Sequence, residues 1–264
     1  MRYCLSSQSF AREGVLFVSH STYDHALTLL RQALDDPTAT FHSGQWQAIE
    51  QLVAQRVRLL VVQRTGWGKS LVYFLATRLL RDQGAGPTLL ISPLLALMRN
   101  QILAAKRIGV RAETVNSSNT EEWNTIRGRL LANQIDILLI SPERLANDTF
   151  RNTYLMPMAG RIGLLVVDEA HCISDWGHDF RPDYRRIVRV LQALPANIPV
   201  LTTTATANDR VVNDIVSQLI EQGEVVADIV PLNLHTATGR GVHNTNNGCG
   251  KLAGSHWEAR FPGG

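Results

Sequence analysis

The sequence predicts an α/β domain: a mostly parallel sheet with helices packed on both of its faces. Short apolar runs alternate with segments of helical spacing through most of the 264 residues, the pattern of repeated strand–helix–strand units. The runs are apolar throughout rather than alternating with polar residues, as strands buried on both faces require. Glycine-rich or polar turns follow several runs directly, at the strand ends where open sheets of this kind bind ligands.

In chain order, Gln45–Gln55 has helical spacing and Leu59–Val62 reads as the first strand. Ser70–Asp82 is the next helix, followed by a strand at Thr88–Ser92 and a helix at Leu94–Ile108. Ala112–Val115 and Ile137–Ser141 are strands flanking a helix at Thr120–Ala132. Leu164–Asp168 and Val200–Thr203 complete the strands, with helices at Asp183–Ala193 and Asp209–Ile220. Ser92-Pro93 and Ser141-Pro142 each place a capping hydroxyl before a proline at a first helical position.

Residues 1–22 lack a clear period and read as an arm, and 23–222 read as the folded domain. Residues 223–264 are rich in Gly, Asn, Thr and His with almost no hydrophobic pattern, so a disordered tail is expected there. The chain is 45% hydrophobic and 19% charged, with a net charge of +3. A sizeable core can form, and the mild basicity is compatible with nucleic acid without requiring it. Cys4, Cys172 and Cys249 are isolated, so no zinc site or disulfide framework is implied and a cytoplasmic setting is expected. No apolar run approaches the length of a membrane span.

The stretch LLVVDEAHCISDWGHDFRPDY (164–184) carries the most chemistry. An apolar strand delivers adjacent carboxylates, Asp168 and Glu169, as phosphoryl-transfer enzymes do to hold magnesium and orient water. A loop with Trp176, His178, Phe180, Arg181 and Tyr184 follows, offering rings and charge to unstacked bases. Alone, the acids could equally be a solvated turn and the aromatics core.

Upstream, RLLVVQRTGWGKS (58–70) runs from a strand through Thr65, Gly66, Trp67, Gly68, Lys69 and Ser70 into a helix. This is a phosphate-binding loop in the required context. Glycines let backbone N–H groups wrap an anion, and the helix N-terminus adds positive potential. Lys69 suits the β- and γ-phosphates, and the Ser70 hydroxyl suits Mg²⁺. Gln63 stands where the full motif has its first glycine. With 23 arginines and only three lysines in the chain, a lysine at the phosphate position is not a default choice. Loop and acids together point to nucleoside triphosphate hydrolysis coupled to nucleic acid.

From about Ala26 to Leu219, and most specifically in DEAHCISDWGHDFRPDY, the chain resembles the first RecA-like domain of RecQ-like DNA helicases of superfamily 2. FHSGQWQAI (41–49), SPLLALMRNQ (92–101), ISPERL (140–145) and TTTATA (202–207) resemble further motifs of that family in their expected order. The resemblance implies ATP and Mg²⁺ as cofactors, with Gln45 reading adenine and Thr65–Ser70 cradling the phosphates. Ser70 and Asp168 would hold the metal, while Glu169 orients or deprotonates the attacking water. His171, Thr204 and Thr206 would relay the nucleotide state to the DNA site. Ser92, Pro93, Arg99, Trp176, Phe180 and Arg181 would contact single-stranded or forked DNA. Plainer readings stand beside these: Gln45 as an exposed helix residue, Ser92-Pro93 as a cap, Arg99 as a surface charge. Trp67 occupies a position the family often fills with glycine, and Gln63-Arg64 replaces Met-Pro.

In the family a second RecA-like domain closes over the nucleotide and supplies an arginine finger, worth about 10³–10⁵ in rate. None is written after Leu219, nor are the zinc-binding and winged-helix modules many members carry. The expectation is therefore a truncated helicase ATPase domain, slow alone and unable to unwind. The alternative is a catalytically inactive nucleic-acid-binding fragment.

Overall fold

The computed structural model describes residues 20–93, 99–115, 117–174, 185–195, 197–205 and 209–217. Each apolar run becomes a strand: β1 (Arg58–Val62), β2 (Thr88–Ile91), β3 (Ala112–Val115), β4 (Ile137–Ile140), β5 (Leu164–Val167) and β6 (Val200–Thr204). Among the described residues they form one sheet in the order β1-β6-β5-β2-β4-β3. Every pairing is parallel. The register sets Val62 beside Thr204 and Ile91 beside both Val167 and Ile140, so the carboxyl ends finish nearly level.

Alternate residues of each strand feed two core layers. Leu60, Leu89, Ile91, Leu138, Ile140, Leu165 and Val167 face one side. Leu59, Val61, Leu90, Leu139 and Val166 face the other. Helices α1 (His20–Leu34), α2 (Gln45–Glu50), α3 (Lys69–Asp82) and α4 (Arg99–Arg107) cover the second face. Helices α5 (Trp123–Leu131), α6 (Met156–Ala159), α7 (Arg185–Ala193) and α8 (Asp209–Ile215) cover the first. In α7 the buried residues are Ile187, Val190, Leu191 and, just beyond its end, Leu194, one stripe at i, i+3, i+4 and i+7.

Several local expectations change. Helix α1 was absent from the sequence reading; its buried stripe is Ala26, Leu29, Leu30 and Ala33, and two alanines give little hydrophobic contrast. Phe150–Leu155 is a π-helical turn leading into α6, which shifts its apolar spacing away from 3.6. The helix expected over 45–55 is α-helical only to Glu50 and continues as a π-helical turn over Gln51–Gln55. Ser141 is extended and makes no side-chain capping bond, and the segment after it, Pro142–Ala146, is a 3₁₀ turn rather than an α-helix. Of the arm expected over 1–22, residues 20–22 open α1, and residues 1–19 lie outside the described residues, as do the tail over 223–264 and residues 94–98.

At the amino ends of β3 and β4, Asp136 accepts bonds from Arg81 Nε (2.8 Å) and from Arg111 Nε, Nη2 and backbone N–H (2.8 Å each). Desolvation opposes its charge, but these bonds hold the carboxyl at about 2. The cluster ties α3 to the starts of β3 and β4, on the edge opposite the site described next.

Candidate active site

The loop after β1 turns on two glycines with left-handed backbones, Gly66 (φ 86°) and Gly68 (φ 92°). Side chains rarely adopt such angles, so glycine is what lets the chain fold back into the start of α3. Thr65 and Gly66 are exposed at the tip, whereas Trp67 is buried. Lys69 opens α3 and its amine donates to the Gln63 carbonyl at 2.7 Å and more weakly to Arg64 at 3.4 Å. Burial pushes the Lys69 amine down, while the carboxylates of Glu169 and Asp168 oppose that shift. Ser70 follows, half-buried.

Gln45, the first residue of α2, is 3% exposed and reaches into this loop. Its Nε2 donates to the Trp67 carbonyl at 2.7 Å, and its Oε1 accepts from the His42 N–H at 2.8 Å. An exposed-helix reading of Gln45 is thereby excluded.

The acids sit at the end of β5. β6 separates β5 from β1, so the two strand ends stand roughly 10 Å apart, two inter-strand spacings. The phosphate loop and the acidic pair therefore share one edge of the sheet. Asp168 is anchored through both oxygens: Oδ1 accepts from the Thr203 hydroxyl at 2.6 Å, and Oδ2 from the Ser92 hydroxyl at 3.2 Å. Burial nonetheless pushes Asp168 up. Glu169 is pulled the other way, chiefly by its hydrogen bond with His171. Two neighbouring carboxyls with opposite shifts are suited to different roles. Glu169 also holds a left-handed backbone (φ 52°), an uncommon angle for a side-chain-bearing residue and one that clusters at functional sites. Beneath the acids Tyr73 is buried, and its phenol is pushed well above its ordinary value by burial and by both carboxylates.

His171 connects the acids to β6. Its Nδ1 lies 3.1 Å from Glu169 Oε2 and 3.0 Å from Thr204 Oγ1. The neighbouring Cys172 sulfur, 3.7 Å from Nε2, and the Glu169 carboxylate push the imidazole up to about 10. Thr204 in turn gives its carbonyl to the Gln63 N–H at 3.0 Å. One threonine thus bridges the acidic turn and the root of the phosphate loop. Behind the turn, Ser174 donates to Asp214 of α8 at 2.5 Å.

The structure thus gathers Gln45, Trp67, Gly68, Lys69, Ser70, Asp168, Glu169, His171 and Thr204 along one sheet edge. Ser92, expected to contact DNA, is fully buried, and its hydroxyl donates to Asp168. Pro93 is half-buried beside it. Trp176, Phe180, Arg181, Thr206 and the side chain of Arg99 lie outside what is described. The sequence reading gave no individual role to Thr203; a β-branched run ending beside the acids was its only signal. Among the described residues no group of three or more His, Cys, Asp or Glu side chains could hold a metal, and no helix is long and apolar enough to cross a membrane.

Residues 42–215 match the DEAD/DEAH box helicase family. The chain is 34% identical over 203 residues to ATP-dependent DNA helicase RecQ of Haemophilus influenzae, covering 72% of this chain and 31% of that protein. It is 37% identical over 187 residues to ATP-dependent DNA helicase RecQ of Bacillus subtilis, covering 70% and 30%. To ATP-dependent helicase SGS1 of Saccharomyces cerevisiae it is 35% identical over 182 residues, covering 68% and 12%. The chain spans less than a third of the length of these relatives. In structure it is similar to the Pyrococcus furiosus Hef helicase domain, with a TM-score of 0.51 and 18% identity over 66% of this chain and 36% of that one. That likeness shows the fold.

Proposed function

The chain belongs to the DEAD/DEAH box helicase family, and on that premise we propose that it is the ATP-hydrolysing first domain of a RecQ-type DNA helicase. The observation that carries the reading is the shared edge: Lys69, which opens α3 just after the loop that follows β1, lies on the edge of the sheet where β5 ends in Asp168 and Glu169. A triphosphate lying across that edge would meet an ammonium at one end and carboxylates at the other.

The donors fit magnesium. Mg²⁺ prefers oxygen ligands and is commonly held through one or two protein groups, waters and substrate phosphates. The Ser70 hydroxyl and Asp168 carboxylate would supply the protein share, and burial makes the Asp168 charge most responsive to a cation. When bound, the metal would neutralise charge on the β- and γ-phosphates. Glu169, held below the usual carboxylate range, is ionised at neutral pH and is the group to orient or deprotonate water. His171 and Thr204 would pass the state of that water site to β6 and the phosphate loop.

Single-stranded or forked DNA is the proposed partner, gripped by the loop carrying Trp176, Phe180 and Arg181 with Pro93 and Arg99. A cytoplasmic setting and a second RecA-like domain, supplied within a longer protein, belong to the same reading. ATP turnover with and without single-stranded DNA tests it, comparing the wild type with Lys69→Ala and Glu169→Gln. DNA-stimulated turnover lost in both variants supports the proposal; equal turnover in all three proteins overturns it.

A further inference from the structure

An indole is an unusual filling for a phosphate loop, where a flat glycine turn would serve. Trp67 is nonetheless only 8% exposed and belongs to the core layer shared by α2 and α3. Its Nε1 donates to the Ser43 carbonyl at 3.3 Å. Its own carbonyl accepts from Gln45 Nε2 at 2.7 Å and from His42 Nδ1 at 3.1 Å. A carbonyl can only accept, so Nδ1 is the protonated ring nitrogen. Three hydrogen bonds therefore join this residue to the segment His42–Gln45: two are accepted by its backbone carbonyl, and the third, with the buried indole, is what the Trp67 side chain adds to hold that carbonyl in place. Gly68 leaves room for the contact: a Cβ there would lie 2.6 Å from Gln45 Nε2.

These bonds settle which way the Gln45 amide points. One N–H is spent on Trp67 and one lone pair on His42, leaving one N–H and one lone pair. That remaining pair matches adenine, which presents the N7 acceptor beside the N6 donor. Guanine presents two acceptors on the same edge and cannot satisfy both. An amide already held in place also loses less freedom when the base arrives.

We propose that Trp67 is a specificity-determining positioning residue: it locks the phosphate loop to the segment His42–Gln45, so that phosphate binding and adenine reading act as one unit. This rests on the nucleotide-binding reading above.

The test is calorimetric titration of the full chain with Mg-ATP, Mg-GTP and inorganic tripolyphosphate, for the wild type and for Trp67→Gly, Trp67→Phe and His42→Ala. The wild type should prefer ATP to GTP. Trp67→Gly should lower that preference about threefold to tenfold, the worth of the one hydrogen bond its side chain makes, with a much smaller loss for tripolyphosphate. Trp67→Phe, which keeps a ring without the N–H, should fall between. Misfolding would weaken all three ligands together, and His42→Ala, at an exposed position, then carries the same comparison. A wild type indifferent to the base, or an ATP preference surviving both Trp67→Gly and His42→Ala, overturns the proposal. Unchanged ATP binding in Lys69→Ala would instead overturn the broader reading.

Discussion

The Thr203 hydroxyl donates to Asp168 Oδ1 across 2.6 Å, from the strand next to the one that bears the acid. Burial drives Asp168 toward its protonated form, and this bond is the largest influence holding it back. Thr203→Val keeps the shape and removes the donor, so Asp168 moves further up. The acidic limb of the ATPase pH profile should shift to higher pH. At pH 7, kcat/KM for Mg-ATP should fall about threefold to tenfold, the worth of one hydrogen bond. Thr203→Ser should retain the wild-type profile; a Val variant whose profile overlays the wild type contradicts this account.

Burying the Asp168 carboxyl costs the fold stability. Its folded-state pKa is raised above the ordinary 3.8, so protonation favours the folded state. That contribution is complete below pH 3.8 and is lost as pH rises through the folded value. Above that folded value the ionised carboxylate therefore weakens the nucleotide-free fold. Asp168→Asn should raise Tm by about 2–4 °C, the size of a 1 kcal/mol change in a domain this large, while removing ATP turnover. A lower Tm in calorimetry would show that the buried charge is not a cost.

His171 is pushed up to about 10 and is charged at neutral pH. Its stabilising effect is complete below 6.5 and disappears as pH rises through about 10. Wild-type Tm should fall between pH 7 and pH 10 more than that of His171→Ala. The same substitution removes the main cause of the lowered Glu169 pKa, so the acidic limb of hydrolysis should move to higher pH. Stopped-flow phosphate release across pH 5–9 reads the second effect, and identical limbs would exclude His171 as a tuner of Glu169.

Far from the nucleotide edge, Asp136 is 6% exposed and binds two arginines. Asp136→Ala strands Arg81, whose side chain is 12% exposed, and should cost about 3 kcal/mol by urea denaturation, as broken buried pairs do. The Asp136 pKa is lowered from 3.8 to about 2, so its contribution is present above 3.8 and is lost as pH falls through about 2. Wild-type acid unfolding should include this loss and the Ala variant should not. Nucleotide affinity of the folded variant should stay at the wild-type level, because the cluster lies on the opposite edge.

Much of the framework was legible in order of residues. All six strands fall within one residue of their expected bounds at each end; in β1, β2, β4 and β5 the reason is a run of three or four consecutive apolar residues, which has few other solutions than a buried strand. The glycine turn and the adjacent acids were equally plain, being local chemistry on a short stretch of chain. Helix α1 and the π-helical turn over Phe150–Leu155 were not, since alanines blur one stripe and the wider turn displaces the other.

By itself the sequence determined which groups exist and where strands begin and end: phosphate loop, acidic pair, and a sheet to carry them. Partner choice was decided by tertiary structure alone. Ser92 reaches Asp168 across 76 residues of sequence, Thr203 across 35, and Gln45 reaches Trp67 across 22. Hydrophobic period reports which face of an element is buried, whereas strand order decides what lies beside it. Placing β6 between β1 and β5 is what turned a run of threonines into the link between the glycine turn and the acidic turn.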